Sequence, residues 1–333
     1  MRHTTVLLIC GCLAISTAAQ SAGSSYLLVL SKDDHTLVFV DPASLKIVAR
    51  VPSGPDPHEV TASADGTRAY ISNYGGGAYN TITSVDLTAR RSLNAIDLGP
   101  LRGPHGLTFE GGKVWFTAEM AKAIGSYDPA TKKVDWILGT GQDRTHMLMV
   151  KPDLSRIVTS NVASGTISII DRVTARGANG STRLDWNETV IPVGRGSEGF
   201  DISPDGREIW VGNAGDGTIS VVDCATKAVV ATLPANVNSA NRLKFTPDGK
   251  LVVVSLARGP ELVVLSAADR KEVKRVPVGH GAEGILMDPA GGRVFVSASP
   301  DNYVAVIDLK TLTVTGRIDA GKDPDGLAWA ETP

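Results

Sequence analysis

Seven polar residues recur at one place in a repeating pattern along this chain: His58, His105, His146, Glu198, Asn241, Glu283 and Asp325. Imidazole and carboxylate are the side chains that bind divalent metals and move protons. His58, His105 and His146 come from consecutive units, and three neutral imidazoles on one arc suit zinc, iron, copper or nickel. Glu198 and Glu283 are the candidates for general base or further metal ligand. Asn73, Asn161 and Asn213 end strands that run to the same face, so with Asn241 and Asp325 they are the candidate ligand-binding groups. The cofactor this set implies is a divalent metal ion, its element left open. A plainer account needs no ligand: the start of a strand beside solvent carries polar residues anyway, and opposite charges pair there.

The elements that position these residues are strands. Successive members of the set are separated by 41 to 52 residues. Each opens a strand of period two, as in Leu107 and Phe109, Phe200 and Ile202, Leu243 and Phe245, or Leu327 and Trp329. A turn such as Ser203-Pro204-Asp205-Gly206 follows, with proline presetting φ and glycine allowing positive φ. A second strand (Ile209-Trp210-Val211-Gly212-Asn213), a third (Thr218 to Asp223), a turn opened by aspartate and a fourth strand (Val229 to Leu233) complete the unit. Four strands in about 40 to 45 residues is the size of a propeller blade. The expectation is an all-β, seven-bladed β-propeller of four-stranded antiparallel blades. The chain lacks a first strand at its start and has a spare one, Asp325 to Ala330, at its end. Pairing that strand with Tyr26 to Ser31 closes the ring and removes the free edges. Two units carry extra length, Gly75 to Asn80 and Ala175 to Asn187.

The blades resemble the YVTN-repeat propeller family, most clearly in Val193-Gly194 through Ser203-Pro204-Asp205-Gly206, Ile209-Trp210-Val211-Gly212-Asn213 and Ile219-Ser220-Val221-Val222-Asp223. Pro104-His105-Gly106-Leu107, followed by Val114-Trp115-Phe116-Thr117, resembles blades of virginiamycin B lyase-like propellers. That second resemblance implies opening of an ester by proton abstraction with help from a divalent metal, on His and Glu residues of the propeller mouth. Its catalytic set does not map onto this chain residue by residue. Fold alone does not give function. The reading of the mouth is therefore a small-molecule site, with a divalent metal and lyase- or hydrolase-type chemistry; the alternative is a non-catalytic scaffold for a protein or cell-envelope partner.

The first 19 residues read as a secretory signal peptide: Arg2 and His3, an apolar run from Val6 to Leu13, then small residues to Ala19. A lipid anchor at Cys12 is not expected, because the apolar stretch before it is short. Residues 20–333 form one domain, placed in the periplasm or outside the cell. One cysteine, Cys224, remains, which excludes an internal disulfide and a thiolate cluster. A net charge of −2 gives no reason to expect a nucleic-acid partner. No stretch is long enough to span a bilayer as a helix, and a monomer is expected.

Overall fold

A computed structural model describes residues 23–177 and 179–333. The expected leader lies outside the described residues. Seven antiparallel sheets form a ring, each a blade of four strands. In the second blade the fourth strand is broken into Arg91–Ser92 and Ile96–Asp97, both paired with Thr81–Asp86. Closure pairs the two expected strands: Tyr26 lies opposite Ala330, Leu27 opposite Trp329 and Val29 opposite Leu327. No helix among the described residues is long and apolar enough to cross a membrane.

The second and third strands of each blade are covered by neighbouring blades on both faces. Their sequences are accordingly apolar almost without interruption, as in Leu251–Leu256 and Glu261–Ser266. Phe39, Phe116, Trp210 and Phe295 are fully buried between blades. Outer strands alternate, with Ile137, Val230 and Val273 exposed. The aspartate that opens most of the outer turns accepts backbone hydrogen bonds. Asp223 Oδ1 takes those of Ala225 (3.0 Å) and Thr226 (2.7 Å), and Asp308 and Asp128 act likewise. The Ala175–Asn187 insertion is not a loop on the mouth. It lengthens a hairpin, Thr166–Arg176 paired with Thr182–Pro192.

One irregularity is repeated in every blade. The innermost strand bulges, so that two of its residues face one residue of the second strand: His58 and Glu59, His105 and Gly106, His146 and Met147, Glu198 and Gly199, Asn241 and Arg242, Glu283 and Gly284, Asp325 and Gly326. A bulge re-aims side chains and bends the strand. Second-strand hydroxyls then reach across to the next blade. Thr117 Oγ1 donates to the His146 carbonyl (2.8 Å), Ser160 Oγ to Glu198 (2.6 Å), Ser255 Oγ to Glu283 (2.8 Å) and Ser297 Oγ to Asp325 (2.7 Å). At Gly106, Gly199, Gly284 and Gly326 a Cβ would overlap backbone of the following blade, so only glycine permits this approach.

Removing Asp325 to Pro333 should open the ring by stripping the strand that covers Ser24–Ser31. Leu327 would lose its burial, and a large apolar side chain contributes roughly 1.5–3 kcal/mol on burial. The expected outcome is a sharply lower melting temperature or aggregation, read by calorimetry; an unchanged melting curve would mean that closure does not hold the ring.

Candidate functional site

The bulged residues ring one end of the central channel. Two residues before each of them the backbone has positive φ: Asp56, Gly103, Arg144, Gly196, Ser239, Gly281 and Asp323. Three blades use glycine at this position and four do not. Left-handed backbone costs a non-glycine residue about 1–2 kcal/mol, and such residues cluster where their side chains are needed. Three of the four contact the mouth. Asp56 Oδ1 lies 3.3 Å from His58 Nε2, Arg144 Nε 3.5 Å from Glu119 Oε2, and Asp323 Oδ2 3.5 Å from Lys32 Nζ.

The three imidazoles come together. Ring centroids of His58 and His105 are 5.0 Å apart, and those of His105 and His146 are 3.9 Å apart. The bulges of consecutive blades bring them side by side. His146 is buried between two carboxylates: its Nδ1 lies 2.5 Å from Glu119 Oε1 and its Nε2 2.9 Å from Glu198 Oε1. The Glu198 contact is an ion-pair approach rather than an aligned hydrogen bond, since Nε2 has no partner of good geometry. Tyr74 donates its hydroxyl to the other oxygen of Glu119 at 2.5 Å. Glu119 thus orients both His146 and Tyr74.

Charge states follow from these contacts. Burial alone would lower the His146 pKa, but the Glu198 charge and the hydrogen bond of Glu119 outweigh it and raise it. Burial would raise Glu198; the His146 charge wins and holds it at about 2. His105 is held well below the ordinary imidazole value, first by burial and then by the charge of His146. The His105 and His146 rings lie against each other, tilted by 36°, and His105 Nδ1 has no hydrogen-bond partner.

A second arc carries Lys32, Glu283, Asp323 and Asp325. Lys32 Nζ lies 3.4 Å from Asp325, 3.5 Å from Asp323 and 3.9 Å from Glu283. Asp325 Oδ2 also approaches His58 Nδ1 at 3.4 Å, which joins the two arcs. Burial first, and then the Asp325 charge, raises Glu283 to about 7, against the pull of Lys32. Deeper in the channel Arg242 forms an ion pair with Glu59 of a blade on the far side, and Asn241 Oδ1 accepts from Arg242 at 3.0 Å.

Other sequence candidates lie elsewhere. Asn73, Asn161 and Asn213 are fully buried inside their blades. Asn161 Nδ2 donates to Thr166 (3.1 Å) and Ser168 (3.0 Å), and the other two pair in the same way with hydroxyls of the third strand. Their side chains tie strands two and three together rather than facing the channel. His280 is exposed and pairs with Asp301, and Arg195 pairs with Asp216. Among the described residues no group of three or more His, Cys, Asp or Glu is arranged to hold a metal ion. A metal at His58, His105 and His146 would have to compete with the Glu119 and Glu198 contacts of His146. Tyr74, Lys32 and Asp323 are absent from the sequence reading, because they sit outside the repeated position.

No family model matches the chain, and no curated protein matches it by sequence. Solved structures do match in fold. A functionally unknown protein from Desulfotomaculum acetoxidans has a TM-score of 0.75 at 14% identity, covering 93% of this chain and 100% of that one. A "putative 6-phosphogluconolactonase" from Bacteroides fragilis has 0.74 at 14%, covering 95% and 100%. Another so named, from Bacteroides uniformis, has 0.72 at 13%, covering 93% and 100%. The chain is a seven-bladed β-propeller. At these identities the likeness shows the fold alone, and the YVTN-repeat resemblance rests on the blade sequences.

Two outcomes test the mouth. Arg144→Gly and Asp323→Gly should each leave the melting temperature unchanged or raise stability by up to about 1 kcal/mol, because backbone strain is relieved. A marked loss would show these side chains to be structural. The pH dependence at Glu283 has a definite sign. Glu283 and His146 both bind protons more tightly when folded, so their contributions are complete below their unfolded values and are lost as pH rises through the folded ones, for Glu283 between about 4.5 and 7. His105, lowered when folded, acts in the opposite sense below about pH 6.5, so the Glu283 part is read as the stability of wild type minus that of Glu283→Gln. That difference, by chemical denaturation, should fall by on the order of 1–3 kcal/mol from pH 5 to 8; a difference that does not change with pH would remove Glu283 as its source.

Proposed function

We propose that the channel mouth opens small ester or lactone substrates by hydrolysis, with Glu283 as the group that moves the proton. One observation carries this reading. Two glutamates on the same ring are pushed in opposite directions, Glu198 to about 2 and Glu283 to about 7. Divergent carboxyls in one site are the mark of an acid–base assignment, and a group that titrates near neutrality is the efficient one for proton transfer. Glu198 then serves as the fixed counter-charge of His146. Glu283 as carboxylate takes a proton from water; the water oxygen adds to the carbonyl carbon; the bond to the ring or ester oxygen breaks; and Glu283 returns the proton to the departing alkoxide. Lys32, 3.9 Å from Glu283, is the nearest cation for the developing oxyanion. The two neighbours named as lactonases make this chemistry a natural one for the fold, although they share only 13–14% identity with this chain.

Charge narrows the substrate. Asp56, Glu119, Glu198, Glu283, Asp323 and Asp325 outnumber Lys32, Arg144 and His146 around the mouth. A neutral or cationic lactone fits that balance and a phosphorylated one does not. The second reading, a non-catalytic scaffold, is favoured by one feature: the lengthened hairpin carries Val173 and Leu184 on its surface, Leu184 at 64% exposure.

The test is ring opening of unphosphorylated lactones followed by proton release. Wild type should be active, with a limb of the pH–rate profile near 7. Glu283→Gln should lose on the order of 10²–10⁴-fold in kcat with its fold intact. Full activity in Glu283→Gln would overturn the assignment, and inactivity of the wild type on every lactone tried would favour the scaffold.

A further inference from the structure

Beneath the mouth the channel continues. The innermost strands run away from the bulges, and their next residues enclose a cavity of about 210 Å³. All seven blades contribute to it. Its walls are mostly apolar, with Leu107, Met147, Met149, Phe200, Leu286 and Leu327 among them, and the polar lining is Thr108 and the charged residues at its two ends. The Arg242–Glu59 ion pair spans the channel between this cavity and the mouth, and both residues line it. Arg242 is 7% exposed. Its guanidinium is held by Glu59 and by the carbonyl and side-chain oxygens of Asn241. At the other end stands Lys244, three residues beyond Asn241. Its side chain is 34% exposed, which places the opening on the face away from the mouth. Its one carboxylate neighbour among the described residues is Asp201 at 3.5 Å, and that aspartate is already committed through its other oxygen to the Phe245 amide at 2.9 Å. Two of the three ammonium donors thus remain for a ligand.

The geometry points to a second binding site, distinct from the mouth and entered from the opposite face, for a small carboxylate with an apolar body about the size of a benzene ring. The volume exceeds that of a cavity of about 150 Å³ known to bind benzene. The Leu, Met and Phe walls offer the body nothing but dispersion and burial, which favour an aromatic or compact aliphatic group. The carboxylate belongs at the rim on Lys244, because the buried Arg242 charge is already matched by Glu59 and a second buried anion there would be unpaired. Methionine at two wall positions allows adjustment to the shape of the body. This inference does not rest on the hydrolytic reading of the mouth.

Benzoate is the probe, added to the whole protein labelled with ¹³C at the methionine methyls. The methyls of Met147 and Met149 should move through the ring current, whereas that of Met120, which is 63% exposed and lies on the mouth face, should stay. Calorimetric titration should show benzyl alcohol and acetate each binding about tenfold or more weakly than benzoate, since one lacks the charge-assisted contact and the other the apolar body. Lys244→Met should remove the preference for benzoate over benzyl alcohol and leave any lactone opening at the mouth unchanged. Unmoved Met147 and Met149 at millimolar benzoate would overturn the site. Equal binding of acetate and benzoate, or a benzoate preference that survives Lys244→Met, would overturn the ligand class. If Glu283→Gln abolishes activity and benzoate still shifts Met147 and Met149, both sites stand independently.

Discussion

The contact on which this molecule depends is the seam between neighbouring blades at the channel wall. A bulge presents two innermost residues against one, a hydroxyl of the second strand crosses to the next blade's carbonyl, and a glycine lets the two backbones meet. Thr117, Ser160, Ser255 and Ser297 make that crossing to His146, Glu198, Glu283 and Asp325. The carbonyl so held belongs to the residue whose side chain faces the mouth. Packing the ring and aiming the chemistry are therefore one event. Hydrogen bonds of this kind contribute only about 0.5–1.5 kcal/mol each, but a buried carbonyl left without one costs more, so the seam specifies where each blade sits.

Above the seam the chain accepts backbone strain. Where three blades turn on glycine, Asp56, Arg144 and Asp323 adopt the same left-handed turn with charged side chains directed at His58, Glu119 and Lys32. The result is a mouth with two electrostatic arcs. On one, buried His146 is clamped by two carboxylates that raise its pKa, while burial and then the His146 charge hold that of His105 low. On the other, one ammonium is shared among three carboxylates, which is too little to ionise them all comfortably, and Glu283 holds its proton toward neutral pH. The asymmetry comes from the ratio of cations to carboxylates in each arc, not from the glutamates themselves.

The channel is divided as well as lined. Arg242 and Glu59 occupy the bulge position next to the mouth residue, where four of the other five blades have glycine. Side chains at that height are long enough to meet across the axis, and their pairing separates a charged mouth from an apolar chamber. A neutral pair is the form in which charge persists at such depth.

The ring of seven four-stranded blades was legible in the sequence because its cause is local and repeated. Apolar alternation, Pro-Asp-Gly turns, aspartate-led outer turns and the spacing of His58 to Asp325 each report strand length and direction without reference to distant residues. The closing pair, Tyr26–Ser31 with Asp325–Ala330, followed from counting strands. The position of the mouth was legible for the same reason, as was the gathering of His58, His105 and His146 on one arc. What each group does there was not. Asn73, Asn161 and Asn213 occur at equivalent repeat positions, yet they face inward onto strand-three hydroxyls, since side chains alternate along a strand and a one-residue difference reverses their side. The bulges leave only a recurring glycine in the sequence, at Gly106, Gly199, Gly284 and Gly326, and they determine which residue of each pair looks down the channel. Glu119 became the partner of His146, Lys32 the shared cation and Arg242 the bar across the axis through contacts between residues 27, 293 and 183 positions apart. Protonation depends on such contacts, because a carboxyl or imidazole titrates according to the charges folded against it and not according to its neighbours in sequence.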